Sequence, residues 1–139
     1  MSQEIRKMPR PVPKLNADTE AWWAGLRRHE LLVQECASCG HLLHPPGPMC
    51  PECRSLDRGW RKSDGSGKVY SWVVVNRPMH PYFFDKAPFP VVLVEMKEGF
   101  RVVGAIDCEI DRLCDGLPVE VDFEDVNDSF SMLLFRVIQ

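Results

Sequence analysis

The chain carries six cysteines, and four of them stand in two tight pairs, Cys36-Ala37-Ser38-Cys39 and Cys50-Pro51-Glu52-Cys53. Two residues between thiolates let both sulfurs of a pair point at one ion, while N–H groups of the turn stabilise their charge. Two such knuckles supply four thiolates, a closed tetrahedral set with no open position for substrate or water. That donor set predicts a structural Zn²⁺ rather than a catalytic one, with Cys36, Cys39, Cys50 and Cys53 as ligands. An iron centre would use the same four sulfurs, and spacing alone does not separate the two ions. Disulfides need an oxidising compartment, and residues 1–14 carry Glu4, three prolines and no apolar run of the secretory kind. A redox C-x-x-C opens a helix after a strand, and two copies fourteen residues apart are not that arrangement. Cys108 and Cys114 have no partner knuckle and are expected to be ordinary half-buried thiols.

These ligands need a scaffold. The ten residues 40–49 between the pairs fit a small rubredoxin-like zinc ribbon, with Gly40 free to take positive φ after the first knuckle. Residues 31–35 read as a strand entering it and 41–44 as the return strand. Pro45-Pro46-Gly47-Pro48 is then a stiff turn, and residues 56–61 leave the ribbon with Trp60 as a buried plug. Upstream, Pro9, Pro11 and Pro13 alternate, which predicts an extended arm that orders only against a partner surface. Asn16 is a plausible cap for a helix running to about His29, with Asp18 and Glu20 in its first turn. Its adjacent Trp22 and Trp23 point roughly 100° apart, so a broad surface must cover both.

Downstream of Asp64-Gly65-Ser66-Gly67, expected to be a flexible boundary, the pattern is β throughout. Residues 68–76, 91–96, 100–106, 118–124 and 131–138 read as five strands. Val119, Val121 and Phe123 should face inward and Glu120, Asp122 and Glu124 outward. Gly104 inside the third strand suggests a bend of the kind a closing barrel requires. Five strands in this span, with a long connection between the first two, predict an OB-type barrel. The fold expected is mainly β: arm and N-terminal helix in 1–30, zinc ribbon in 31–64, five-stranded OB-fold barrel in 65–139.

Composition is that of an ordinary soluble globular protein, 45% hydrophobic and 27% charged. No apolar run approaches the roughly 20 residues of a membrane span, and a cytoplasmic protein is expected. Residues 65–139 hold seven Lys/Arg against twelve Asp/Glu, a formal charge of −5 (seven minus twelve). That charge opposes phosphate binding. The sequence also lacks a Ser/His/Asp arrangement, a Gly-rich phosphate loop and H-E-x-x-H. Of the scattered histidines His29, His41, His44 and His80, the two inside the ribbon, His41 and His44, read as surface or outer-sphere residues because four thiolates already satisfy zinc, and His80 is notable for its aromatic neighbours. An independent enzyme is therefore the least favoured reading.

The order of parts resembles the domain-of-unknown-function-35 family, zinc-ribbon plus OB-fold proteins associated with acyl-CoA metabolism. The residues that carry the resemblance are Cys36 to Gly40, Pro45-Pro46 and Cys50 to Cys53. They continue with Gly67-Lys68-Val69-Tyr70-Ser71-Trp72, Glu95 and Gly116-Leu117-Pro118-Val119-Glu120-Val121. The resemblance implies a non-catalytic accessory subunit in acyl-CoA and lipid metabolism, hetero-oligomeric with a thiolase-like or lipid-transfer-protein-like enzyme of thiolase, acyl-CoA synthase or aldol-lyase type.

Candidate contacts for such a partner, or for acyl-CoA itself, lie in two places. Trp22 and Trp23 either pack the helix onto the chain or face a ligand or another subunit. The connection 77–90 holds Tyr82, Phe83, Phe84 and Phe89, more apolar area than an exposed loop tolerates. It caps the barrel, meets a partner or meets a ligand, with Arg77, His80 and Lys86 placed to attract CoA phosphates. The alternative function is single-stranded nucleic-acid binding, with Tyr70 and Trp72 stacking on bases, which the acidic barrel opposes.

Overall fold

In the computed structural model, which describes residues 8–138, helix α1 spans Glu20–Arg27. Three short strands follow, β1 Leu32–Cys36, β2 Leu42–Leu43 and β3 Arg58–Lys62. Five longer ones come after them, β4 Ser66–Val75, β5 Phe89–Met96, β6 Arg101–Asp107, β7 Pro118–Asp125 and β8 Ser131–Val137. The first seven residues of the expected arm lie outside the described part. From Met8 onward the arm has no regular structure, and it orders on the chain's own barrel, where Arg10 Nη1 meets Glu124 Oε1 on β7 at 2.8 Å.

Asn16 does cap, but it caps a turn that leads into α1. Its Oδ1 accepts from the Asp18 and Thr19 N–H groups at 2.9 and 3.0 Å. The helix ends at His29, whose left-handed φ of 60° lets Glu30 N–H return to Gly25 O at 2.9 Å. Leu26 is fully buried beneath the helix. Arg27 donates to Asp128 O, and His29 stacks on Phe123, which together hold the helix end to the β7–β8 corner.

The ribbon is a three-stranded antiparallel sheet in the order β2-β1-β3, registered by Gln34 opposite Leu43 and opposite Trp60. The segment expected to leave the ribbon thus completes its sheet, and Trp60 is half-buried at the edge of the core rather than a plug. The next turn is pinned, not loose. The Glu98 carboxylate accepts from Ser63 Oγ at 2.9 Å and from Asp64 N–H at 2.7 Å.

The five long strands close a barrel in the order β4-β5-β6-β8-β7, with β6 and β8 parallel and the other pairs antiparallel. This is the OB topology. Strand β4 pairs with β5 along its length and with β7 at its start. A bulge between Val69 and Ser71, with Tyr70 as the extra residue, bends it. The bend expected at Gly104 is therefore at Tyr70. Gly104 instead lets the barrel close over a large ring, since a Cβ there would stand 2.8 Å from Phe135 Cε2. One core runs through the molecule: Leu26 of α1, Leu31 and Val33 of the ribbon, then Val69, Val92, Val94, Val102, Val119 and Phe135 of the barrel.

Candidate functional site: a metal centre and an apolar groove

The two knuckles repeat one hydrogen-bond pattern. Gly40 N–H donates to Cys36 O at 3.0 Å, and Arg54 N–H donates to Cys50 O at 2.9 Å. Cys36 N–H donates to His41 O at 2.9 Å, and Cys50 N–H to Ser55 O at 3.0 Å. The residue after each pair is left-handed, with φ 77° at Gly40 and 65° at Arg54. This turn brings the four Sγ atoms within 4.8 Å of one another, Cys36 to Cys53 at 3.5 Å and Cys39 to Cys50 at 3.6 Å. Sulfurs about 2.3 Å from a shared tetrahedral ion stand about 3.8 Å apart, so the cluster fits such an ion.

Electrostatics point the same way. The Cys39 and Ser38 N–H groups outweigh burial and lower Cys36 to about 6. At Cys39 the His41 amide favours the thiolate, yet burial and the other three sulfurs push it up to about 12. At Cys53 the Ser55 amide is likewise outweighed, chiefly by Cys36, and the thiol is raised. One sulfur ionises readily and its neighbours then resist, which is the imbalance a bound cation removes. The chain provides a metal site; all four sulfurs would be ligands, and the ion would cross-link the two turns. His41 and His44 stand outside the four-sulfur group.

Buried Gln34 braces the site from β1, its Oε1 accepting from Gly47 N–H at 2.9 Å. Arg58 donates to Gly47 O and pairs with Asp18 at 3.0 Å, which fixes the proline-rich turn against the approach to α1. His44 is no surface residue. Its ring lies 5.5 Å from Trp22 and 6.3 Å from Phe100, between α1 and the barrel, and burial pushes it down to about 4. Of the two remaining thiols, Cys108 is half-buried as expected, whereas Cys114 is exposed.

The second feature is an apolar groove of about 490 Å³ where α1, the β4–β5 connection and the outer face of β5 and β6 converge. Trp22 and Trp23 meet edge to face, ring centroids 4.8 Å apart, along one wall. Phe83 and Phe89, ring centroids 5.6 Å apart, also line it, and Val91, Val103, Ala105 and Met132 contribute to the rest. Lys86 and Arg10 are its two cations; the Lys86 Nζ sits 4.5 Å from the Tyr82 ring centroid.

Of the residues singled out in the sequence, Trp22, Trp23, Phe83 and Lys86 come together in this groove. Tyr82 stands behind Lys86 and packs on Phe83 at 4.9 Å. Arg77, His80 and Phe84 are not part of its lining. His80 instead accepts the Tyr82 N–H on Nδ1 at 3.1 Å and so caps the short 3₁₀ turn Pro81–Phe83. Sequence reasoning missed Arg10, Val91, Val103, Ala105 and Met132. The lone arginine among the arm's prolines was the one available signal.

Taken together, an N-terminal helix, a four-cysteine ribbon and a closed OB barrel around one core define a metal-ribbon/OB-fold protein. Residues 23–57 match the ChsH2 rubredoxin-like zinc ribbon domain, and residues 60–124 match the ChsH2 C-terminal OB-fold domain. A DUF35 domain-containing scaffold protein of Methanothermobacter thermautotrophicus is 36% identical, over 73% of this chain and 77% of the relative. The chain belongs to the DUF35 family. It is also 37% identical to a probable enoyl-CoA hydratase alpha subunit of Thermomonospora curvata, over 97% of this chain but 42% of the relative. It thus spans about two-fifths of that protein's length. A solved structure described as Ltp2-ChsH2(DUF35) aldolase superposes with TM-score 0.83 at 36% identity, covering 91% of this chain and 98% of its counterpart. Among the described residues no helix is long and apolar enough to cross a membrane.

Proposed function

We propose that this chain is a non-catalytic accessory subunit that binds an enzyme acting on acyl-CoA thioesters, of thiolase-like or lipid-transfer-protein-like type. The relatives that are subunits of a hydratase or an aldolase support the subunit role. The observation that carries it is the outer face of β4, β5 and β6. Residues paired across those strands point the same way, so Ser71, Leu93 and Val103 form one row and Val73, Val91 and Ala105 the next. Val73 is 62% exposed and Val103 59%, with Tyr70 also exposed beside Arg101. A largely apolar sheet face of this kind suits a second protein better than water. Structural Zn²⁺ is the ion that best suits four thiolates with no open position, and a reducing cytoplasm suits free sulfurs. The aromatic connection that carries Tyr82 and Phe84 would contribute to the same contact.

The nucleic-acid alternative loses ground at this face. Its arginine, Arg101, lies 3.7 Å over the Tyr70 ring and 3.5 Å from the Glu95 carboxylate, and the rows beside it are aliphatic. Co-expression with thiolase-like and lipid-transfer-protein-like enzymes of the same organism, followed by size-exclusion chromatography, tests the proposal. Co-elution is expected, and Val73→Glu should abolish it without lowering the thermal midpoint of the isolated chain. A chain that elutes alone from every such pairing and alters none of their activities would refute it.

A further inference from the structure

The apolar groove shares Val91, Val103 and Ala105 with that sheet face, but here residues of α1 and of the β4–β5 connection line it as well and enclose a volume that the open rows lack. Its volume of about 490 Å³ lies in the range of roughly 300–1,000 Å³ typical of small-molecule sites. Its walls are two aromatic pairs, and its floor is aliphatic. A flat protein surface docking here would leave that volume unfilled, whereas a hydrocarbon chain or ring system would fill it.

Charge at the mouth narrows the ligand further. Arg10 is already matched by Glu124 at 2.8 Å. Lys86 has no carboxylate partner among the described residues; its side chain is exposed, with Nζ 4.5 Å from the Tyr82 ring centroid. The mouth therefore offers one unmatched positive charge next to an apolar interior, inside a chain of formal net charge −3.

We propose that this groove binds a hydrophobic monocarboxylate, an aliphatic or alicyclic chain seated between Trp23 and Phe83 with its carboxylate at Lys86. The inference does not depend on the accessory-subunit reading, because it concerns binding by the chain alone. The probe is dodecanoate, titrated calorimetrically into the full chain below its micelle concentration, with dodecanol and dodecanoyl-CoA as comparisons.

Saturable one-to-one binding of dodecanoate is expected, with dodecanol about fivefold weaker for want of the Lys86 contact. Lys86→Ala should bring the two to equal affinity. Ala105→Phe, at an exposed floor position outside the core, should abolish binding with the thermal midpoint unchanged. The proposal falls if dodecanoate gives no saturable heat, or if Ala105→Phe binds it as well as the parent. Dodecanol binding as tightly as dodecanoate, or dodecanoyl-CoA binding more tightly, would overturn the monocarboxylate assignment.

Discussion

The metal ribbon and the barrel are built by opposite means. From residue 36 to residue 57 the only nearly fully buried side chains are Cys36 and Cys50, with His44 half-buried against α1 and the barrel. Leu56 and Met49 in that span are 72% and 47% exposed. The barrel hides Val69, Val92, Val94, Val102, Val119 and Phe135 almost completely. One region is held by four sulfurs around an ion and the other by hydrocarbon packed against hydrocarbon. The strand β1 joins them, with Leu31 just before it and Val33 within it in the common core and Cys36 at its end. Metal-dependent stability is therefore expected to be local.

Removing the ion tests that contrast most severely. Structural zinc in small ribbons contributes on the order of 10–16 kcal/mol of apparent binding energy, and residues 36–57 have little else. Chelation, or Cys50→Ser, should expose the amides of 36–57 to rapid hydrogen exchange while those of Val69, Val92 and Val94 stay protected. Burial of Leu31 and Val33 in the common core keeps the strand that leads into the ribbon outside the affected segment. Slow exchange at Gly40 and Arg54 after chelation would show that the ribbon has another source of order. A colourless preparation with one zinc per chain would separate zinc from iron.

The complementary break is in the barrel. Phe135 is fully buried, and its ring fills the space that Gly104 leaves open. Phe135→Ala should destabilise the barrel by about 3–5 kcal/mol, read from chemical denaturation. Cys₄ metal content should stay at one ion per chain in the folded variant. If the metal is lost while the barrel still melts cooperatively, the two regions are coupled more tightly than their packing indicates.

The same contrast explains what was legible in the sequence. Ligand chemistry is local, so the C-x-x-C pairs announced the metal site with their own spacing. The alternation of Val119, Val121 and Phe123 fixed the inner face of β7 for the same reason. What escaped depends on partners distant in sequence. Gly104 looked like a bend because Phe135, thirty-one residues away, is invisible until β6 and β8 lie side by side. The bulge at Tyr70 exists because one strand must serve two neighbours. Arg10 and Ala105 come to a single groove only after the barrel closes and the arm folds across it. His44 was read as a surface or outer-sphere residue because its neighbours in sequence are ribbon residues, whereas its neighbours in space belong to α1 and the barrel.

His44 sits at the joint between the two regions, and it makes that joint sensitive to acid. Its Nδ1 is buried with no hydrogen-bond partner among the described residues, and burial lowers its pKa from 6.5 to about 4. The folded protein thus keeps the ring neutral where the unfolded chain would protonate it. Stability from this group is complete above pH 6.5 and declines as pH falls from there toward 4, by about 3 kcal/mol at most. The thermal midpoint should drop between pH 7.5 and 4.5, and His44→Phe should remove part of that drop. An identical acid profile in the variant would place the sensitivity elsewhere, with the cysteines as the next group to test.

The smallest effect lies inside the ribbon, between its two halves. Both knuckles need a left-handed residue after the second cysteine, and glycine provides it at Gly40 with φ 77°. The other knuckle has Arg54 at φ 65°, with its side chain exposed and its N–H committed to Cys50 O. A Cβ in that region costs roughly 1–2 kcal/mol, partly offset by the greater freedom glycine gains in the unfolded chain. Arg54→Gly should therefore stabilise the metal-loaded ribbon by up to about 1 kcal/mol, and Gly40→Arg should destabilise it by a similar amount. Competition with a chromophoric chelator reads both changes as shifts in metal affinity of about fivefold in opposite directions, since 1.4 kcal/mol is about tenfold. The two substitutions change charge in opposite senses, so an electrostatic cause predicts the reverse pattern, with Arg54→Gly weakening metal binding and Gly40→Arg tightening it. If removal weakens binding, the Arg54 guanidinium itself supports the thiolates, and the near-symmetry of the two knuckles stops at their backbones.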